Sequence, residues 1–152
     1  MNRVGKDIAW VEYKQLDKST NSSTRIEMIR ELTNRGNRVR YYCIHKHEHD
    51  YFGLDSTTIH YLKKIELGLI THLIYAVQLL WKNLLWITRS QYEVIILDYT
   101  TLVLVFPVIA LKKVFNSSIK VILDVRTFPV SKQNLKSQMI IFRASLFIAD
   151  NV

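Results

Sequence analysis

Two short apolar runs in this chain each end in an acid. Glu93-Val94-Ile95-Ile96-Leu97-Asp98 and Ile119-Lys120-Val121-Ile122-Leu123-Asp124 are too short and too rich in β-branched residues for helices, and read as strands covered on both faces. Asp98 and Asp124 therefore stand where such strands stop, at the edge where open α/β sheets gather their ligands. The competing role for each is to cap the following turn or helix by accepting from its backbone N–H groups. Arg126, two residues after Asp124, offers a guanidinium to a substrate phosphate or carboxylate, or else a partner for Asp124 itself.

A second constellation is His45, His47 and His49. On an extended segment they would point to one side, a geometry that zinc or copper could use. Alternating histidines also occur in polar loops, and no Cys/His set with ligand spacing stands elsewhere to complete the coordination, so no metal is assigned. Several enzyme classes lose their main support. There is no Gly-x-Gly-x-x-Gly after the first strand, no Walker-type Gly-Lys-Ser/Thr and no Gly-x-Ser-x-Gly elbow.

The elements that would position these residues follow from periodicity. Ile8 to Val11 reads as a strand, and the polar stretch from Lys14 to Thr24 as a loop. Arg25 to Asn37 is a helix with Ile26, Ile29 and Leu32 on its apolar face, Arg25, Glu27, Arg30 and Glu31 mostly elsewhere on the wheel, Ser23 or Thr24 as N-cap and Gly36 as left-handed C-cap. Val39 to Ile44 is a second strand, and an irregular strand is expected at Thr57 to Leu62. Thr101 to Asn116 forms a helix if Pro107 kinks it or lies in its first turn, and Lys132 to Ala149 a last helix with Leu135, Met139, Phe142 and Leu146 on one side. Strands alternating with helices force parallel pairing and right-handed crossovers, so the predicted fold is α/β, a Rossmann-like open parallel sheet flanked by helices.

Leu67 to Thr88 is about as long as a bilayer-spanning helix, with Trp81 and Trp86 as candidate interface anchors. Thr71, Tyr75, Gln78 and Lys82 form a narrow polar stripe along it. That stripe favours a mostly buried amphipathic helix over one lying in the membrane interface, and both over one crossing a bilayer.

Composition bounds the remainder. A length of 152 residues with 49% hydrophobic and 22% charged side chains suits one globular domain. Four glycines and two prolines are few for a hairpin-rich all-β fold. Cys43, the single cysteine, cannot form an internal disulfide, and no apolar leader opens the chain, so a cytoplasmic setting is expected. The formal charge of +8 is spread, with 12 basic and 9 acidic residues through Glu66 and 9 and 4 beyond it. A basic surface attracts nucleic acid, anionic lipid or phosphorylated ligands alike. Nucleic acid ranks last, because no interleaved aromatic patch or known module is present.

The segment STRIEMIRELTNRGNRVRYY resembles the first helix and second strand of family-four glycosyltransferases, which share the two-domain GT-B fold; Arg35-Gly36-Asn37-Arg38-Val39 matches that family's Arg-Gly-His-x-Val apart from the histidine. YEVIILDY, VILDVRTFPV and RASLFIADNV resemble later family stretches in the same order, so the resemblance runs from Asp7 to Val152. It implies an N-terminal, acceptor-side domain over residues 1–152, without the C-terminal domain that binds the nucleotide-sugar donor in the family; the Glu-x7-Glu element of that domain has no counterpart here.

By the same resemblance Asp98, Asp124, Arg126 and Thr127 would line the acceptor edge of the cleft, and Ser22, Ser23 and Thr24 the donor-phosphate side. Where the family often has a Gly-Gly pair, Ser19 to Thr24 offers hydroxyls and an asparagine, and where some members carry a histidine near the reacting sugar this chain has Arg126. A guanidinium cannot act as a base near neutral pH, so Arg126 is cast as an anion or sugar-hydroxyl contact. No residue is assigned as catalytic and no cofactor is implied. The expected partners are a nucleotide-sugar donor held by the second domain and a glycan or lipid-linked acceptor; a third reading takes the basic, Trp-bearing helix as an attachment to the inner face of a membrane that serves a lipid-linked acceptor. The alternative is a stand-alone flavodoxin-like ligand-binding or regulatory module without transfer activity.

Overall fold

The computed structural model describes residues 5–15, 22–45, 53–55, 58–63, 92–115, 118–125 and 135–150, together with Ile70, Leu73, Ile74, Val77, Gln78 and Trp81. Among these residues the chain forms β1 (Asp7–Gln15), α1 (Ser22–Asn34), β2 (Arg38–His45), β3 (Ile59–Lys63), β4 (Val94–Leu97), α2 (Tyr99–Leu104), α3 (Phe106–Phe115), β5 (Lys120–Leu123) and α4 (Leu135–Ile148). The five strands make one sheet in the order β3-β2-β1-β4-β5, and every neighbouring pair is parallel. This is the strand order of a Rossmann-like sheet, in which the direction of progression reverses between β1 and β4, and it differs from the flavodoxin-like order 2-1-3-4-5.

Alternation along the strands divides the interior in two. Ile8 and Trp10 of β1, Val39, Tyr41 and Cys43 of β2, and Ile59 of β3 face α1 and close over Ile26 and Ile29. Ala9, Val11, Tyr42, Ile44, Ile95, Leu97, Val121 and Leu123 face the other way, onto Leu102, Ile109 and Phe142 of the three later helices and Val105 between the first two of them. Covering both faces is what continuous apolar strands require.

The C-cap of α1 is as its sequence requires. Gly36 has φ +84°, its N–H donates to the Thr33 carbonyl at 2.9 Å, and the Asn37 N–H reaches the Leu32 carbonyl at 3.2 Å, the paired bonds of a Schellman motif. At the other end the helix starts at Ser22, so Ser23 and Thr24 lie in its first turn and are not the N-cap. Hydroxyl side chains are tolerated in a first turn, whose N–H groups have no intrahelical acceptors.

The expected single helix around Pro107 is two helices. The chain breaks at Val105 (φ −100°, ψ 7°), and Pro107 falls in the first turn of α3, where its missing N–H costs no hydrogen bond. Among the described side chains of α4 the buried positions are Phe142 and Ser145, whereas Leu146 is 39% exposed; the inward face is turned from the one that places Leu146 inward. Ser145 occupies the interior by donating to the Phe142 carbonyl at 2.7 Å, and Tyr99 meets the Phe142 ring edge-on at 6.0 Å.

Ile70, Leu73, Ile74, Val77, Gln78 and Trp81 are helical, as predicted, but Ile70, Leu73, Val77 and Trp81 are all more than half exposed. The other residues of the expected Leu67 to Thr88 helix lie outside the described residues. No helix among the described residues is long and apolar enough to cross a membrane.

Candidate ligand site at the carboxyl ends of the strands

Glu12 is the third member of the Ile8, Trp10, Glu12 alternation on β1 and so points under α1, into the apolar layer. A carboxylate there must be compensated. Arg25, in the first turn of α1, places Nη2 2.8 Å from Glu12 Oε1, with the two side chains 3% and 2% exposed. Tyr41 of β2 donates its hydroxyl to Glu12 Oε2 at 2.8 Å. Glu12 also sits where the β1–β2 register slips, between Val11 and Gln15, an irregularity that lets the strand re-aim a side chain.

From the same guanidinium, Nε lies 3.9 Å from Asp124 Oδ2. One cation on α1 thus spans from a carboxylate inside β1 to another at the end of β5. Asp124 is partly open, its side chain 14% exposed, and its backbone N–H is fixed to the Leu97 carbonyl of β4 at 2.8 Å. At formal charges, Glu12, Arg25 and Asp124 sum to one excess negative charge. The partly open Asp124 carboxylate accepts hydrogen bonds from hydroxyl groups.

Asp98, at the end of β4, is 6% exposed and accepts from the Thr101 N–H at 2.8 Å, while the Leu102 N–H reaches the Asp98 carbonyl at 2.9 Å. It is the N-cap of α2, which fixes the turn beside Asp124. Ser22 and Ser23 line a hollow of about 270 Å³ with Ile26, Glu27 and Arg30 on α1. Asp98 and Asp124 thus stand at the ends of neighbouring strands, and Ser22 and Ser23 lie in the first turn of α1, the turn that also carries Arg25. Arg126 and Thr127 lie outside the described residues, as do His47, His49 and the side chain of His45. Among the described residues no three His, Cys, Asp or Glu side chains are grouped to hold a metal ion.

The buried surroundings shift three acids. Burial first, and the Glu12 charge second, push the Tyr41 hydroxyl and the Cys43 thiol above their ordinary values. Tyr42 is raised by burial and then by its hydrogen bond to the Tyr92 hydroxyl, 2.9 Å away, a hydroxyl that also accepts from Arg40 at 2.8 Å.

The residues that sequence reasoning missed are Glu12, Arg25 and Tyr41. The signal was available for the first of them: an acid in register with Ile8 and Trp10 must point inward. Arg25 was placed on the polar side of its helix, yet it shares a face with Ile29, one turn away. Comparison with known proteins returns no matching family model and no matching curated relative.

Proposed function

We propose that this chain is the acceptor-side half of a GT-B-type glycosyltransferase, which presents a glycan or lipid-linked acceptor across a cleft while a donor-binding domain outside these 152 residues supplies the nucleotide-sugar. The observation that carries the reading is Asp124, a partly open carboxylate at the end of β5 whose Oδ2 lies 3.9 Å from Nε of the buried Arg25 and whose backbone is bonded to β4. A carboxylate placed there accepts a sugar hydroxyl. Asp98 acts as a positioning residue through the turn it caps, and Arg126 and Thr127 follow Asp124 as further acceptor contacts. The Rossmann-like strand order and the order of the sequence resemblances support the same reading. With it goes a cytoplasmic location, where nucleotide-sugars and lipid-linked acceptors meet.

In such a transferase the anomeric bond breaks against a nucleoside-diphosphate leaving group, which needs donors from both lobes, so these 152 residues alone do not transfer sugar. The test is calorimetric titration of the chain with a panel of mono- and disaccharides and with nucleotide-sugars. Saccharides are expected to bind, and Asp124→Ala to weaken them by about tenfold, the loss of one hydrogen bond to a charged group. Binding of nucleotides in preference to saccharides, unaffected by Asp124→Ala, would replace this reading with a nucleotide-binding module that lacks transfer activity.

A further inference from the structure

The two helical layers differ in chemistry. On α1 the outer face is ordinary: Glu27 pairs with Arg30, and Glu31 with Arg35 at 2.8 Å, all on the exposed side. The helices of the opposite layer carry no acid at all. Between Asp98 and Asp124, and again between Asp124 and Asp150, the sequence has no Asp or Glu, whereas α3 and α4 bear Lys112, Lys113, Lys136 and Arg143. The layer is also apolar where it meets solvent. Phe106 is 44% exposed, Val114 78%, Ile140 69% and Phe147 93%.

An open groove of about 600 Å³ runs between α3 and α4, lined by Val103, Phe106, Ile109, Ala110, Ala144 and Phe147 among others. On α4 the positions Lys136, Ile140, Arg143 and Phe147 recur at helical spacing, so cations and large apolar groups share one exposed face.

We infer that the α3–α4 face docks on the surface of an anionic lipid bilayer. Exposed phenylalanine and isoleucine side chains enter the headgroup boundary, and Lys136 and Arg143 meet lipid phosphates. A second copy of the chain is a poorer occupant, because its matching face would bring the same cations and no helix acid of this layer to pair with them. A third acid-free stretch agrees: from Leu67 to Tyr92 there is no Asp or Glu, and its described residues expose Ile70, Leu73, Val77 and Trp81. The docking is independent of sugar transfer and survives if the transfer reading fails.

The test is co-sedimentation of the full chain with phosphatidylglycerol-containing vesicles and with pure phosphatidylcholine vesicles, at low and high salt. The expected result is binding to the anionic vesicles alone, weakened by salt. Phe147→Glu should abolish it, and Lys136→Glu with Arg143→Glu should lower it by roughly fivefold or more per residue changed. Arg35→Glu, the same charge reversal on the α1 side, should leave most of it. All these positions are exposed, and circular dichroism checks that each variant folds. No binding at low salt, equal binding to neutral vesicles, or equal losses in Arg35→Glu and the α4 variants would overturn the proposal. So would a concentration-dependent dimer, removed by Phe147→Glu, in a chain that ignores vesicles.

Discussion

Arg25 and Glu12 form an ion pair 2.8 Å long between the first turn of α1 and the middle of β1, in a position that water hardly reaches. Each charge is tolerated there only because of the other. Removing one partner leaves an uncompensated buried charge, which costs about 3–5 kcal/mol, whereas replacing both by apolar side chains is often neutral. Arg25→Met and Glu12→Leu should each be strongly destabilising in urea titrations, and the double variant should recover most of the loss. Tyr41 loses its acceptor in the double variant, so Tyr41→Phe added to it should improve matters further. Single variants that unfold at the parent's urea concentration would show that the pair is not buried in solution.

Asp98 tests the difference between a cap and a contact. As the N-cap of α2 it should cost about 1 kcal/mol when changed to alanine and only a fraction of that when changed to serine, which also caps. If Asp98→Ser kept the stability but lost saccharide binding, the side chain would be a ligand contact as well.

Gly5 and Gly36 meet backbone to backbone. A Cβ on Gly5 would lie 1.6 Å from the Gly36 carbonyl oxygen, an impossible contact without a backbone shift. At Gly36 there is room for a methyl group but φ is +84°, so its cost is that of the left-handed conformation. Gly5→Ala should therefore lose about 2–3 kcal/mol or more and Gly36→Ala about 1–2 kcal/mol, measured by denaturant unfolding. The reverse order would contradict this packing.

Alkaline pH should destabilise the fold. Cys43, Tyr41 and Tyr42 all have raised values in the folded chain and ordinary values, 9.0 for a thiol and 10.0 for a tyrosine, when unfolded. The neutral forms are favoured by folding, so this stability is complete below the unfolded values and is lost as pH rises, because the unfolded chain releases protons that the folded chain keeps. Each group adds up to about 1.4 kcal/mol per pH unit to that loss. The urea midpoint should fall between about pH 8 and about pH 10.5, and Cys43→Val should move the onset upward from near the thiol value toward the tyrosine value. A midpoint unchanged over that interval would contradict the burial of these groups.

The local grammar of the chain was legible. Apolar runs ending in Asp98 and Asp124 read as covered strands, and Gly36 as a left-handed cap, because each depends on residues a few positions apart. Arg25 and Leu146 were misplaced for the opposite reason: which side of a helix is inward depends on the sheet beneath it. A helix wheel ranks Leu146 as inward by hydrophobicity, but Ser145 can be buried once its hydroxyl bonds to its own helix. The Arg25–Glu12–Asp124 chain joins three elements far apart in sequence, and no spacing rule announces it. Glu12 alone could have been found, from its phase with Ile8 and Trp10.

The most direct measurement of the central claim is nuclear magnetic resonance of the ¹⁵N-labelled chain during titration with the tightest-binding saccharide of the panel. Backbone signals of Asp124, Val125 and the α1 residues around Arg25 are expected to shift together, with the α1 flank at Glu31 and Arg35 unmoved, and Asp124→Ala to remove the response. Shifts confined to the α3–α4 face, or a response that Asp124→Ala leaves intact, would contradict an acceptor site at the end of β5.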